Sequence, residues 1–437
     1  MATIGIDFGT CFCSASWINP NTGNPEAVRF RDCGSEKMPS VIALTAQGNA
    51  FVGSGPYMQL EELSANTAIS PEERTEFLSN FFFSIKTHLC KDQIWRRPDK
   101  DYTDADLIAI ILKKIKYEVV ISCAVKEEID HVVLTHPVQF EEWKKDILKH
   151  AAALAGFTRV KLLPEPIAAA MYAIRTGIVP ISCKGLLVYD FGAGTFDVTY
   201  VQMEKDGELH MPVLPRGDAH CGGDDIDRAL YEDWNKYVKA NYGREIVNGE
   251  EADLAFLYRC RRRKEQISRG FLMSDEISEF IPGLGNVKRN FSKDDFERLT
   301  KPIIDKTLVQ VKAVVDEVKQ KALPLTHAIL IGGSSNLPQV QSAISELLGQ
   351  NVSIVTTGNN DIAVAVGAMY SVTTKITTPK KEETPKEAGI SEQKVTTAQQ
   401  PKECFCIYCG AKILTSHKIC MHCGKPNDFE HNHDHTY

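Results

Sequence analysis

Over the first 371 residues, apolar β-branched runs alternate with stretches of helical period. VVLTHP (132–137) precedes a helical stretch at 141–155. GLLVYDFG (185–192) precedes a second strand running to about 203, and HAILIGG (327–333) precedes a helix at 338–349. This alternation predicts one large layered α/β unit. Segment 293–321 is predicted to be a long amphipathic helix, opened by Ser292 with Asp295 three residues on, a variant of the capping box. Two segments echo each other: IGIDFGT (4–10) and VYDFGAGT (188–195). Each reads as an apolar strand, then Asp-Phe-Gly, a small-residue turn and another β-rich stretch. The echo predicts a duplicated architecture, two lobes facing each other across a cleft.

At about residue 373 the pattern stops. Segment 373–403 has only isolated apolar residues among Thr, Lys, Glu and Pro. It cannot offset its ordering entropy by burial and is expected to be a flexible linker. Beyond it lie a cysteine-rich stretch (404–427) and a His-bearing tail (428–437) with His431, His433 and His435. The whole chain has 437 residues, 43% apolar and 24% charged, with a net charge of −7. That mix excludes a wholly disordered chain and argues against a broad basic face for nucleic acid. The first residues lack the basic start and unbroken apolar run of a signal peptide, and no stretch approaches a membrane span. The expected location is cytoplasmic. In a reducing compartment, cysteines scattered through 11–260 are expected to be buried apolar fillers, and clustered ones metal ligands.

A strand ending in Asp, followed by a glycine turn, has a chemical use. The N–H groups of such a turn can cradle phosphate oxygens, and glycine permits close approach. The carboxylate is repelled by phosphate, so it works through Mg²⁺ or the water around it. Asp7 with Gly9 and Thr10 offers this arrangement once; Asp190 with Gly192, Gly194 and Thr195 offers it again. One copy alone is more often an ordinary hairpin turn. Two copies in matched strands point to a Mg-nucleotide held between lobes.

With LLPEPIAAAMYAI (162–174), GDAHCGGDDIDRAL (217–230), ILIGGSSNLPQV (329–340) and NDIAVAVGAMYS (360–371) added in this order, the chain resembles the ATPase domain of the seventy-kilodalton heat-shock (DnaK-type) chaperones. The resemblance covers about residues 3–372. It implies a two-lobed actin-like ATPase fold with duplicated ribonuclease H-like lobes, binding ATP or ADP with Mg²⁺. By the same resemblance, Asp7 and Asp190 organise Mg²⁺ through water. Gly9, Thr10 and Cys11 form the first phosphate turn, and Gly192, Ala193, Gly194 and Thr195 the second. Lys86 reaches the γ-phosphate, Glu165 is the cleft acid near the hydrolytic water, and Asp197 helps order that water. Gly222 and Gly223 turn near the nucleotide, Lys264 and Ser268 form the adenosine wall, and Gly332, Gly333 and Ser334 run under ribose and adenine. Asp361 is a further carboxylate of the site. Phosphoryl transfer to water needs positioning and charge neutralisation more than a strong base, which suits this set.

Several positions depart from the family's pattern. Cys11 stands where threonine is usual, which implies one lost hydroxyl contact. Ala193 replaces the central glycine of the second turn, and would cost about 1 kcal/mol if that position needs positive φ. The Glu and Arg usual on the adenosine helix are exchanged as Arg261 and Glu265; being four apart, they are expected to be able to pair in reverse. Arg261 to Lys264 can equally be read as a solvated helix face. Asn336 replaces an adenine-stacking arginine, so a planar cation–π partner is missing. No apolar linker, peptide-gripping β-sandwich or helical lid is recognisable after Tyr370, so no conventional peptide-binding domain is expected.

In their place, Cys406 and Cys409, then Cys420 and Cys423, give C-x₂-C-x₁₀-C-x₂-C. Each C-x-x-C-G is a tight knuckle. Two knuckles joined by a short hairpin (AKILTSHKI, 411–419) give a tetrahedral S₄ site suited to a structural Zn²⁺, a zinc ribbon. Cys404 is a spare thiol, and His417 and His422 are alternative ligands. The reading is thus a domain at 1–372, a linker at 373–403, a ribbon at 404–427 and a tail at 428–437. It is a cytoplasmic ATP-binding protein with slow hydrolysis driving a two-lobe switch, recruiting a protein partner through the ribbon. Its rivals are a non-hydrolysing nucleotide sensor of the same fold, a zinc-ribbon nucleic-acid adaptor, for which 402–430 shows no basic groove, and a sugar kinase, for which no sugar-binding segment is recognisable.

Overall fold

The computed structural model describes residues 2–45, 47–66, 69–97, 99–204, 208–246, 250–270, 276–281, 283–358, 360, 362–372, 403–405 and 412–414. Strands Ala2–Phe8 and Phe12–Ile18 form an antiparallel hairpin in which Asp7 lies opposite Ser14. Strand Ile129–His136 joins Ala2–Phe8 in parallel, and Arg159–Pro164 joins that strand in parallel. Strands Gly185–Phe191 and Phe196–Met203 repeat the hairpin, with Asp190 opposite Asp197. His327–Ile331 and Ser353–Thr356 then add in parallel, as in the first sheet. Short strands complete each sheet to six. The echo between the two Asp-Phe-Gly segments is therefore a repeat of topology: a hairpin, then two parallel strands reached by helical crossovers.

The central strands are nearly all apolar because both faces are covered. One core gathers around Ile4, Ile6, Phe8 and the helix Asp104–Ser122; another gathers around Tyr189, Phe191, Phe196 and the helices Gly223–Tyr242 and Lys293–Gln320. The last of these begins on the expected capping box, with Ser292 and Asp295 exchanging bonds. Its buried stripe (Phe296, Ile304, Val311, Val314, Val315 and Val318) follows helical spacing. Each such side chain contributes about 1.5–3 kcal/mol by burial.

A third core lies where helices Glu165–Arg175 and Ala363–Tyr370 cross, with Ala168, Ala169 and Ala368 among its residues. A Cβ at Gly367 would stand 1.9 Å from the carbonyl oxygen of Ala168, so the crossing distance requires glycine. Ser16 Oγ donates to the Ala365 carbonyl at 2.6 Å and ties this helix to the first sheet. The close crossing fixes Glu165, the first residue of its helix, against the cleft floor.

Among the described residues, no helix is long and apolar enough to cross a membrane. The eight cysteines from Cys11 to Cys260 are free; Cys11, Cys13, Cys183, Cys221 and Cys260 are buried, while Cys33, Cys90 and Cys123 are half-buried. Near the end of the chain, Glu403–Phe405 pairs antiparallel with Lys412–Leu414. The paired strands flank the first Cys-x-x-Cys knuckle in sequence, and Lys412–Leu414 falls within the stretch that joins the two knuckles. Cys406, Cys409, Cys420 and Cys423, the stretch 373–402, the tail and Asp361 lie outside the described residues.

Candidate functional site

The two hairpin turns face each other across a cavity of about 430 Å³. Asp7 and Asp190, each next to last in its strand, line it together with Gly9, Thr10, Cys11, Gly192, Ala193 and Thr195. The turns nearly touch: a Cβ at Gly194 would stand 2.5 Å from Thr87 Cγ2 and 2.9 Å from Thr10 Cγ2. The carbonyls of the second turn are occupied from behind. Gly192 O accepts from the Gly223 N–H at 3.0 Å and from Ser334 Oγ at 2.8 Å, and Ala193 O accepts from the Asp224 N–H at 2.6 Å.

Lys86 Nζ donates to Glu165 Oε1 at 2.6 Å, and both side chains are buried in the cavity floor. Thr135 Oγ1 donates to Asp7 Oδ1 at 3.0 Å. Burial works against the Lys86 charge, but Glu165, Asp7 and Asp190 outweigh it and hold the ammonium above its ordinary range. Burial also pushes the Asp190 carboxyl well up, reinforced by Glu165 and Asp7. Asp197 is pushed up by burial and then by Asp190 and Glu165, and its Oδ1 has no hydrogen-bond partner. Asp7, Asp190, Asp197 and Glu165 thus gather around the Lys86 ammonium, Asp197 and Glu165 buried and Asp7 and Asp190 half-buried, an arrangement suited to a further cation. Among the described residues, no group of three or more His, Cys, Asp or Glu side chains is arranged to hold a metal directly. A cation here would have to bring water or an anionic ligand with it. These observations fit a Mg-nucleotide: N–H-rich turns on the walls, carboxylates below and one lysine reaching in.

Most of the residues singled out from the sequence meet in this cavity. Lys264, Ser268, Gly332, Gly333 and Ser334 line its far end. Gly332 has φ +80°, and a Cβ there would stand 2.4 Å from Phe191 O, so only glycine fits beneath the second hairpin. Asp197, Gly194, Gly222 and Gly223 stand behind the lining rather than in it. Gly222 matters through space alone, since a Cβ there would stand 2.2 Å from Ala193 O.

Three expectations are corrected. Ala193 is not in the left-handed region, so it carries no such strain; the crowding at this turn falls on Gly222. Arg261 does not pair with Glu265. It is buried, donating from Nε to Asp227 Oδ2 at 3.1 Å, from Nη1 to Tyr57 Oη at 3.0 Å and from Nη2 to Asp224 Oδ1 at 3.1 Å. A buried guanidinium must satisfy its donors locally, which prevails over a weak i,i+4 pair on the outer face. Lys264 is buried beside it, with Nζ 2.7 Å from Asp227 Oδ1 and donating to Gly223 O at 2.7 Å, so neither residue lies on a solvated helix face. Cys11 has lost a hydroxyl, but its thiol donates to Asp224 Oδ1 at 3.3 Å.

Phe12, Lys37 and Arg269, which no motif singled out, also line the cavity, as do Asn360 and Val364 from the motif at 360–371, to which no role in the site had been assigned. Lys37 comes from a separate short strand, paired with Phe12–Ile18, and stacks its ammonium over Phe12 at 4.5 Å. Asn360 Nδ2 donates to Asn336 Oδ1 at 2.9 Å and to Ser335 Oγ at 3.2 Å, fixing the amide that stands in place of the usual arginine. No local motif announces such contacts between distant segments.

Comparison with known proteins agrees with this geometry. The sequence profile of the family described as Hsp70 protein matches residues 3–385. The chaperone protein DnaK of Thermotoga neapolitana is 29% identical over 377 residues, and that of Thermosipho africanus 28% over 372. The mitochondrial heat shock protein SSC3 of Saccharomyces cerevisiae is 27% identical over 382 residues. Each match covers 84% of this chain and 57–58% of the relative, so the chain spans rather over half the length of the curated relatives it matches. With two lobes of repeated topology around one cleft and this family match over most of its length, the chain belongs to the Hsp70 family and has that family's actin-like ATPase fold.

Proposed function

We propose that the cleft binds Mg-ATP and hydrolyses it slowly, and that nucleotide state sets the angle between the two lobes. The observation that carries this reading is the cavity floor, where Asp7, Asp190, Asp197 and Glu165 gather around Lys86 between two glycine turns. When bound, Mg²⁺ would supply positive charge in the floor, and Asp7 and Asp190 would hold it through water. The turns from Gly9 to Cys11 and from Gly192 to Thr195 border the part of the cavity that would take the phosphates. Lys86, held by Glu165, neutralises the charge that builds on the terminal phosphate. Glu165 and Asp197 orient the attacking water. Lys264, Ser268, Gly332, Gly333 and Ser334 line the end that would take the nucleoside, and Asp361, implied by the resemblance alone, is assigned to the same end. Closing the lobes excludes water and completes this set; release lets them part, a hinge switch.

The test is calorimetry and phosphate release on the intact chain. Mg-dependent ATP binding with measurable slow turnover supports the proposal. Equal affinity with and without Mg²⁺ removes the carboxylate account. Binding without phosphate release above background leaves a non-hydrolysing sensor.

The domain plan belongs to the same proposal: a nucleotide-binding body at 1–372, a linker at 373–403, a zinc ribbon at 404–427 and a tail at 428–437. Zn²⁺ on Cys406, Cys409, Cys420 and Cys423 would supply most of the folding free energy of so small a module, on the order of 10 kcal/mol. The strand pair flanking the first knuckle supports a ribbon. The ribbon recruits a protein partner in the cytoplasm, and a nucleic-acid partner is disfavoured by the acids at 403, 428 and 430. One zinc per untagged chain is expected, and chelation should abolish partner capture while leaving ATP binding nearly intact. Loss of ATP binding on Cys406→Ser with Cys409→Ser would overturn the two-part plan.

A further inference from the structure

One residue touches both phosphate turns and the Lys86 loop, and it is not one of the cleft acids described above. Asp224, near the start of helix Gly223–Tyr242, uses its backbone N–H on the second turn through Ala193 O. Its Oδ1 accepts from Cys11 Sγ in the first turn at 3.3 Å, and its Oδ2 accepts from Ser84 Oγ at 3.2 Å. Ser84 lies two residues before Lys86 and has φ 49°. A residue with a β-carbon keeps that backbone conformation only when its surroundings hold it there. Ser84 O accepts from the Thr87 N–H at 3.0 Å, so the Lys86 loop is a tight turn pinned at its head by Asp224.

Asp224 is itself fixed by Arg261. That guanidinium reaches Asp224 with one nitrogen, Asp227 with a second and Tyr57 Oη across the cleft with a third. Tyr57 stacks on Tyr258 with ring centroids 4.0 Å apart and planes 5° apart, and Glu61 pairs with Arg259 at 3.3 Å. The helix Ser54–Ala65 in the first half of the chain is thus bound to the helix Glu250–Ser268 in the second half at three points. The exchange of charges at Arg261 acquires a purpose here. The helix keeps its glutamate in the cavity lining as Glu265 and turns Arg261 into a clamp on Asp224.

We propose that Asp224, held by Arg261, is a positioning residue that keeps the two phosphate turns and the Lys86 loop in mutual register. This rests on the reading that the cleft takes Mg-ATP. A positioning role acts on the reaction more than on the ground-state complex, because small misplacements of reacting groups cost rate steeply. A purely structural ion pair would instead lower stability and carry affinity and rate down together.

The experiment measures Mg-ATP affinity by calorimetry, single-turnover phosphate release and thermal stability on the full chain. The variants are Asp224→Ala, Asp224→Asn, Arg261→Lys, Ser84→Ala and the double variant Ser84→Ala with Asp224→Ala. Asp224→Ala should slow the single turnover about tenfold or more, with affinity changed less than about threefold. Asp224→Asn and Arg261→Lys, which keep part of the bonding, should fall between it and wild type. The double variant should be no slower than Asp224→Ala, since both changes cut the same link. Rate and affinity falling in parallel with stability, or additive losses in the double variant, would overturn the proposal. If wild type binds Mg-ATP but releases no phosphate, the readout is dissociation of a fluorescent ADP analogue. Release about tenfold faster from Asp224→Ala than from wild type supports the positioning role, and equal release rates overturn it. Failure of wild type to bind Mg-ATP at all would overturn the nucleotide reading, a result distinct from wild-type binding with indifferent variants.

Discussion

At one end of the cleft the lining residues are held by backbone: Asp7 and Asp190 close strands whose register is fixed by neighbours on both sides, and the turns beyond them follow within three residues. At the other end the lining is assembled from side chains of separate elements. Lys264, Glu265 and Ser268 come from one helix, Asn336 from the turn after Ile331, and Asn360 from the segment before the last body helix. The first end matches what the sequence motifs imply almost residue for residue. The second has been rewired, with Arg261 turned away to Asp224, Asp227 and Tyr57. A site built on strand ends tolerates few changes without losing its sheet. A site built on helix faces can exchange partners at little cost to the fold.

The largest effect that would separate the two ends comes from Lys86. Lys86→Ala should lower single-turnover phosphate release by on the order of a hundredfold, with ATP affinity changed only severalfold, because the ammonium counts most where charge builds on the phosphate. Loss of affinity equal to the loss of rate would mean that Lys86 serves ground-state binding only. Next in size, Asp190→Asn should weaken Mg-ATP binding about tenfold or more while barely changing ATP affinity measured without Mg²⁺. An equal loss in both conditions would place the role of Asp190 in the shape of the turn rather than in the cation.

Legibility in the sequence follows the same division. The two hairpins, their parallel neighbours and the capped helix Lys293–Gln320 could be read because period, capping residues and glycine turns are local signals. The Lys86–Glu165 contact joins residues 79 apart and became legible only through family resemblance. The partners of Arg261 were not legible. Four-residue spacing favoured Glu265, but burial made the choice, and burial depends on Tyr57 lying across the cleft, 204 residues away. Ala193 went the other way: a glycine motif suggested a strained backbone, whereas the close approach rests on Gly222 and Gly194.

A smaller effect tests whether the floor is tuned for a missing cation. Burial and neighbouring carboxylates raise the Asp197 carboxyl well above its ordinary 3.8. A carboxyl raised in the folded state favours folding below its unfolded value, and that contribution is lost as pH rises through the folded value. The free protein therefore bears a cost at neutral pH that Asp197→Asn should relieve, by on the order of 1 kcal/mol. The stability difference between variant and wild type, followed by thermal melts, should be smallest near pH 4 and grow toward neutrality. Mg-ATP should narrow it by stabilising the wild-type floor. A difference that does not vary with pH would show that Asp197 is ionised alike in both states.

The smallest effect concerns the rewired end. Asn336 is exposed in the cavity wall, its amide oxygen engaged by Asn360, and it offers a purine no planar cation of its own. Discrimination between ATP and GTP should consequently be weak, within about tenfold, since stacking of this kind contributes about 0.5–1 kcal/mol at an exposed position. Asn336→Arg restores the guanidinium and should tighten ATP binding about two- to fivefold, with little change in turnover once the site is saturated. Asn360→Ala, which frees the Asn336 side chain without adding a cation, should leave ATP affinity within about twofold. A strong preference for ATP in the unaltered chain, insensitive to Asn336→Arg, would mean that Lys264, Ser268 and Glu265 already form a complete base pocket; the contrast between the two ends would then lie in the choice of residues rather than in the quality of the site.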